Sequence, residues 1–151
     1  LTDTSKPSPG PLTRAGLRWF RPVTTRWRDN DAYGHVNNVV YYEWFDTAVN
    51  AYLIEAGVLD VAGGAVIGLV VHTECDYFAP LAYPEPVDVG LTVERFGRSS
   101  VHYRLGVFAQ DAPLAAAQGR FVHVYVERAT RRPVALPQSL AEALSRVLID
   151  A

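Results

Sequence analysis

Asp29, Asp31, His35, Asn37 and Asn38 crowd into one short stretch of the chain, RWRDNDAYGHVNNVVYYEWFD (26–46). A carboxylate can serve as a nucleophile or a general base. An imidazole can carry a proton near neutral pH, and an asparagine can cap a helix. The polar run gives way abruptly to the apolar VVYYEWF. If that run is a helix, its first turn presents unpaired N–H groups and the positive end of the helix dipole, both of which stabilise developing negative charge. The stretch therefore reads as an active-site loop feeding a helix N-terminus. Residue types alone leave open which of its members do chemistry.

The flanking elements must hold this loop. Residues 17–28, LRWFRPVTTRWR, are rich in aromatic and β-branched types and predict a strand, with Pro22 marking a bulge or an edge. Residues 29–37 predict a polar loop, and 38–56 the longest helix, with Asn37 or Asn38 as N-cap and Gly57 as the stop. Glu43, Asp46 and Asn50 share one narrow helical stripe. Val39, Val40, Tyr41, Trp44, Phe45, Val49, Tyr52 and Leu53 make the rest apolar, which predicts a helix wrapped by the remainder of the protein. Strands are expected over 65–79, 86–97, 100–110 and 114–128, with GRSS (97–100) as a tight hairpin and QDAP (110–113) as a turn. A basic turn, RATRRP (128–133), leads to an amphipathic helix over 137–149 with Pro137 in its first turn. Strand, long helix, then four strands describes an α+β domain in which one antiparallel sheet curls around one buried helix. Its open edges call for pairing with a second copy.

A chain of 151 residues fits one domain, here 17–151, behind a polar tail at 1–16, expected to be flexible, that carries three prolines and no hydrophobic signal core. The net charge of −2 argues against general nucleic-acid binding, so any anion recognition must be local. Cys75 is the single cysteine, which excludes an internal disulfide; a cytoplasmic setting is the expectation. No apolar run is long enough to span a membrane. The chain has no GxSxG, GxGxxG, P-loop or HExxH. Its histidines, at 35, 72, 102 and 123, are too scattered to predict a metal site, and Cys75 reads as a small hydrophobe within a strand.

The loop and helix start, DNDAYGHVNNVVYYEWFD, resemble the signature of hotdog-fold acyl-CoA thioesterases of the 4-hydroxybenzoyl-CoA thioesterase group. The resemblance extends through TECDYFAPLAYPEPVDVGLTVERFGRSSVHYRLGVF and GRFVHVYVERATRRPVALP. It implies a five-stranded antiparallel sheet around a long central helix, and subunits paired into one continuous sheet with active sites at their interface. A homodimer or homotetramer follows, acting on an acyl-CoA substrate with no cofactor beyond the coenzyme A of the substrate and no metal. It assigns the catalytic carboxylate to Asp31, as nucleophile or general base on the thioester carbonyl. It also gives the backbone N–H of Asn38 the task of polarising the carbonyl oxygen.

The same resemblance leaves His35 with two readings. In plant acyl-carrier-protein thioesterases, which share HVNN, the matching histidine looks catalytic, and an asparagine stands where this chain has Tyr33. In the bacterial benzoyl-CoA enzyme the position is apolar, so His35 does chemistry or braces the loop. Asp29 is expected to organise the loop by accepting hydrogen bonds. Gly34 is expected to supply a positive φ or a close backbone approach beside the substrate, next to Tyr33. Glu43 is the alternative catalyst, since a second branch of the fold takes its carboxylate from the helix. His72 lines an acyl pocket or is a satisfied strand histidine. In ERFGRSS (94–100), Arg95, Arg98, Ser99 and Ser100 are candidates for the coenzyme A phosphates. The competing functions are an acyl-CoA-binding module without hydrolysis, and a hydroxyacyl-thioester dehydratase.

Overall fold

Five strands and two helices follow one another in the order strand, helix, four strands, helix in the computed structural model, which describes residues 9–149. They are β1 (Trp19–Val23), α1 (Asn38–Glu55), β2 (Val66–Tyr77), β3 (Val87–Phe96), β4 (Ser100–Ala109), β5 (Ala117–Glu127) and α2 (Gln138–Arg146). The strands form one antiparallel sheet in the order β1-β3-β4-β5-β2, with α1 laid across its concave face. This is the expected hotdog arrangement.

The alternation of side chains along the strands explains which face α1 meets. Val87, Val89, Leu91 and Val93 of β3, and Val101, Tyr103, Leu105 and Val107 of β4, are two residues apart and all fully buried in one cluster with Phe45 and Val49 of α1. Each such side chain contributes on the order of 1.5–3 kcal/mol by leaving water. Asn37 caps α1, its side chain accepting from the Val39 N–H, and Gly57 ends it at φ +74°. The hairpin at 97–100 closes with the Gly97 N–H donating to Ser100 O at 2.9 Å.

Three expectations need correction. The first strand stops at Val23, because Thr25 and Arg26 leave the sheet. The Thr25 hydroxyl donates to Glu85 O at 2.8 Å, and Arg26 and Asp29 cap each other across a single 3-10 turn, Trp27–Asp29. Pro22 does lie in the edge strand β1. The helix α1 is not wrapped on every side: Val39 is 61% exposed, since the sheet covers one face only. Of the polar tail expected at 1–16, residues 1–8 lie outside the described residues. The rest is held on the sheet, where the Leu12 N–H donates to Gln118 and Arg14 pairs with Asp88 at 3.0 Å. Leu17 and Phe20 continue this cover, packing on Phe108 over the convex face.

Candidate active site

The loop between β1 and α1 is built by backbone hydrogen bonds that its sequence makes possible. The Asp31 N–H donates to His35 O at 2.8 Å, and the Gly34 N–H returns to Asp31 O at 3.1 Å. The Asp31 Oδ1 accepts from the Tyr33 N–H at 2.8 Å. This tight turn needs φ +82° at Gly34, where a Cβ would meet nothing within 4 Å. Of the two reasons expected for Gly34, the positive φ is therefore the operative one.

A second layer ties the turn to the rest of the fold. The buried Asp29 carboxylate accepts from the Arg26 N–H at 2.7 Å and from the Arg26 guanidinium at 2.8 and 3.1 Å, while Asp29 O accepts from the Asn37 N–H. Asp29 thus sets where α1 begins. The Val36 N–H donates to Leu81 O at 2.7 Å, and the Tyr83 N–H to the Asn30 side chain, pinning the loop to residues 81–83. Replacing Asp29 by alanine strands the Arg26 donors and frees the start of α1. The expected cost is about 2–3 kcal/mol in a denaturant titration.

Asp31 and Asn38 line one cavity of about 390 Å³. One wall is the first turn of α1, with Val36 and Tyr41. The other is Tyr77 and the segment Phe78–Pro80 that leaves β2. Within the first turn, the Val39 N–H is taken by the Asn37 side chain and the Val40 N–H by Asn37 O. The Asn38 N–H has no acceptor among the described residues, and Asp31 Oδ2 has no donor there. Asp31, with its free carboxylate oxygen, and Asn38, with its free helix-terminal N–H, thus border one cavity. Burial pushes the Tyr41 hydroxyl up to about 12 and raises Tyr77 further, so both phenols stay protonated at neutral pH. Tyr77 donates to Asn38 O at 3.0 Å and bridges the two walls.

The other candidates fall elsewhere. The His35 and Tyr33 side chains are exposed and neither residue is in the lining of the cavity; the His35 carbonyl accepts from the Asp31 N–H. Glu43 is exposed and paired with Arg26 at 3.2 Å, away from the lining. His72 stands on the open edge of the sheet, 3.6 Å from Glu74. Cys75 is half-buried and burial pushes its thiol up to about 11, which keeps it protonated. Arg95, Arg98, Ser99 and Ser100 sit at the opposite end of the sheet. Ala117, the neighbour of Tyr77, and Val124, the neighbour of Ser100, are seven residues apart on β5, roughly 24 Å of strand. Among the described residues no three His, Cys, Asp or Glu side chains converge as metal ligands. No helix there is long and apolar enough to cross a membrane.

Comparison with known proteins adds a lineage to this geometry. The sequence model of the thioesterase-like superfamily matches residues 25–144. Among solved structures, the PA5185 protein of Pseudomonas aeruginosa is 57% identical with a TM-score of 0.91, over 95% of this chain and 99% of that one. The PA2801 protein of the same organism, described as a candidate thioesterase, is 29% identical with a TM-score of 0.78, over 85% and 98%. Slr0204 of Synechocystis, a 1,4-dihydroxy-2-naphthoyl-CoA thioesterase, shares the fold at 19% identity with a TM-score of 0.76, over 83% and 94%. No curated protein sequence gave a match.

Proposed function

This chain belongs to the thioesterase-like superfamily, and from that premise we propose that it hydrolyses acyl-CoA thioesters to a free acid and coenzyme A. The observation that carries the reading is the pairing of Asp31 with the unpartnered Asn38 N–H across one cavity. A thioester carbonyl seated there would direct its oxygen at the start of α1, where the N–H and the helix dipole stabilise the charge that develops on it. Asp31 then either attacks the carbonyl carbon, expelling the thiolate and leaving a mixed anhydride that water hydrolyses to the free acid, or takes a proton from a water that attacks the carbonyl and expels the thiolate directly; by either route the thiolate of coenzyme A is protonated as it leaves. No metal or resident cofactor enters this scheme.

The site calls for a second copy. β2 is twelve residues long, lies at the edge of the sheet, and leaves Val70 and Val71 about half exposed. Pairing β2 antiparallel with the β2 of a partner would close that edge, cover the open side of α1, and join two sheets into one. It would also carry the partner's Arg95–Ser100 hairpin toward the Asp31 cavity, where Arg95, Arg98, Ser99 and Ser100 could meet the phosphates of coenzyme A. Static light scattering is expected to give a dimer or a pair of dimers. A monomer at micromolar concentration would remove this part of the reading. The activity is tested by thiol release from a panel of aromatic, short and long acyl-CoAs. Release from at least one is expected, whereas binding of acyl-CoA without release from any would leave a carrier or sensor.

A further inference from the structure

The free N–H of Asn38 lies in the peptide plane that joins Asn37 to Asn38, and the planes on either side of it are held from two different places. The preceding plane is pinned to the loop, where the Asn37 N–H donates to Asp29 O at 2.8 Å. The following plane carries the Asn38 carbonyl, which accepts from the Tyr77 hydroxyl at 3.0 Å. Peptide units are planar, so fixing both neighbours leaves the middle plane little room to swing. We propose that Tyr77 is a positioning residue, which holds the start of α1 against the end of β2 so that the Asn38 N–H keeps its aim at the carbonyl oxygen of the bound thioester. The proposal rests on the thioesterase reading above and deepens it.

Packing does not hold this turn in place. Asn38 is exposed, as is Val39, and the first buried residues within α1 are Val40 and Tyr41. The carbonyl of the middle plane, Asn37 O, accepts from the Val40 N–H at 3.0 Å. That bond lies inside the helix and would travel with it. The Tyr77 hydroxyl, by contrast, ties the turn to the sheet.

Tyr77 offers this bond from a fixed base. It is the last residue of β2 and pairs with Ala117 of β5. The N–H groups of Phe78 and Ala79, which follow it, both donate to Ala116 O, at 2.8 and 3.1 Å. Its ring meets Tyr41 edge-on, with centroids 5.0 Å apart. Strand, exit and ring are thus all held before the hydroxyl reaches Asn38. The residues Phe78–Pro80 form the far wall of the Asp31 cavity. One bond therefore sets the helix-terminal donor relative to the wall that would seat the acyl group. The phenol proton is committed to a carbonyl, and burial raises its pKa, so Tyr77 stays a donor to Asn38 O and does not serve as the acid for the departing thiolate.

A misdirected N–H affects the transition state more than the bound substrate, because the full negative charge on the carbonyl oxygen exists only there. The Tyr77–Asn38 bond is itself open to water, so its loss changes overall stability little.

The test is Tyr77→Phe, which removes one oxygen and keeps the ring. With the acyl-CoA that the wild type cleaves fastest, kcat is expected to fall about tenfold, with KM and the denaturation midpoint unchanged. Beside it, both proteins are given an isotope-labelled ketone analogue of that acyl-CoA, with a methylene in place of the thioester sulfur. The infrared band of its carbonyl is expected at lower frequency on the wild type than in water, and Tyr77→Phe is expected to reverse about half of that shift or more. An unmoved band overturns the proposal, and a fall in kcat accompanied by a lower midpoint and an unmoved band is what a merely structural tyrosine would give. No band shift on the wild type, or a band that moves while kcat does not, overturns it as well. Should the wild type release thiol from no acyl-CoA, the hydrolase reading falls by itself. The band, read with the ketone of the acyl group bound most tightly, then decides alone whether Tyr77 aims the N–H.

Discussion

Asp31→Asn is expected to lower thiol release from the best acyl-CoA about 10³-fold or more, on the order of 4 kcal/mol of transition-state stabilisation, with little change in stability or in ligand binding. The geometry makes this substitution unusually clean. Oδ1 of Asp31 accepts from the Tyr33 N–H within a turn closed by backbone bonds. An asparagine oxygen can accept the same bond, so the turn survives while the charge and the proton acceptor disappear. The neighbouring Asp29 is no substitute, because its carboxylate is buried and held by Arg26. Single-turnover kinetics with a saturating thioester checks the size of the loss. Activity retained near the wild-type level would remove Asp31 as the catalyst and turn attention to Glu43→Gln on the helix.

The second large effect is on folding. Gly119→Ala is expected to destabilise the protein by more than about 3 kcal/mol or to prevent its accumulation. Gly119 lies inside β5, facing Cys75 of β2 on one side and Leu105 of β4 on the other. A Cβ there would overlap the Glu74 carbonyl oxygen and stand 2.7 Å from the Phe45 ring. Neither neighbour is a flexible side-chain tip. The carbonyl belongs to the strand paired with β5, and Phe45 is fully buried at the centre of α1. The methyl group must therefore push β2 off β5 or lift α1 from the sheet. Gly97→Ala is the matched control, since a Cβ at Gly97 meets only the Ser100 hydroxyl at 3.6 Å. Chemical denaturation of both variants separates a general intolerance of alanine from this particular collision.

These two residues also mark what could be read from the chain and what could not. The helix was legible at both ends because Asn37, the apolar run and Gly57 are local signals that act where they stand. The loop was legible because a charged segment against an apolar helix is a local contrast, but Asp31 was singled out within it only by the resemblance, since residue types alone left its members equivalent. Gly119 carried no signal: its neighbours Glu74 and Phe45 are far away in sequence and meet it only through strand pairing. The far wall of the cavity, Tyr77 to Pro80, was hidden for the same reason, although an aromatic pair ending a strand before a proline is a usable hint. The short β1 was obscured by two threonines that favour strands, one of which instead donates to a carbonyl outside the sheet. The Arg95–Ser100 hairpin was placed correctly on its strands, but sequence says nothing about which end of the sheet faces the loop.

The two borders of the sheet are unequal. β1 is five residues with a proline, and β2 is twelve residues with exposed valines. A lengthwise bare border on both sides would let copies add without limit, as in a growing fibril. Here only one border is long enough to recruit a copy, and a border that mates with its own like is used up by the first encounter. The proposed assembly therefore terminates itself. In that proposed assembly the adhesive flank has a single use, and the event that silences it would also complete the place where the thioester would be cut.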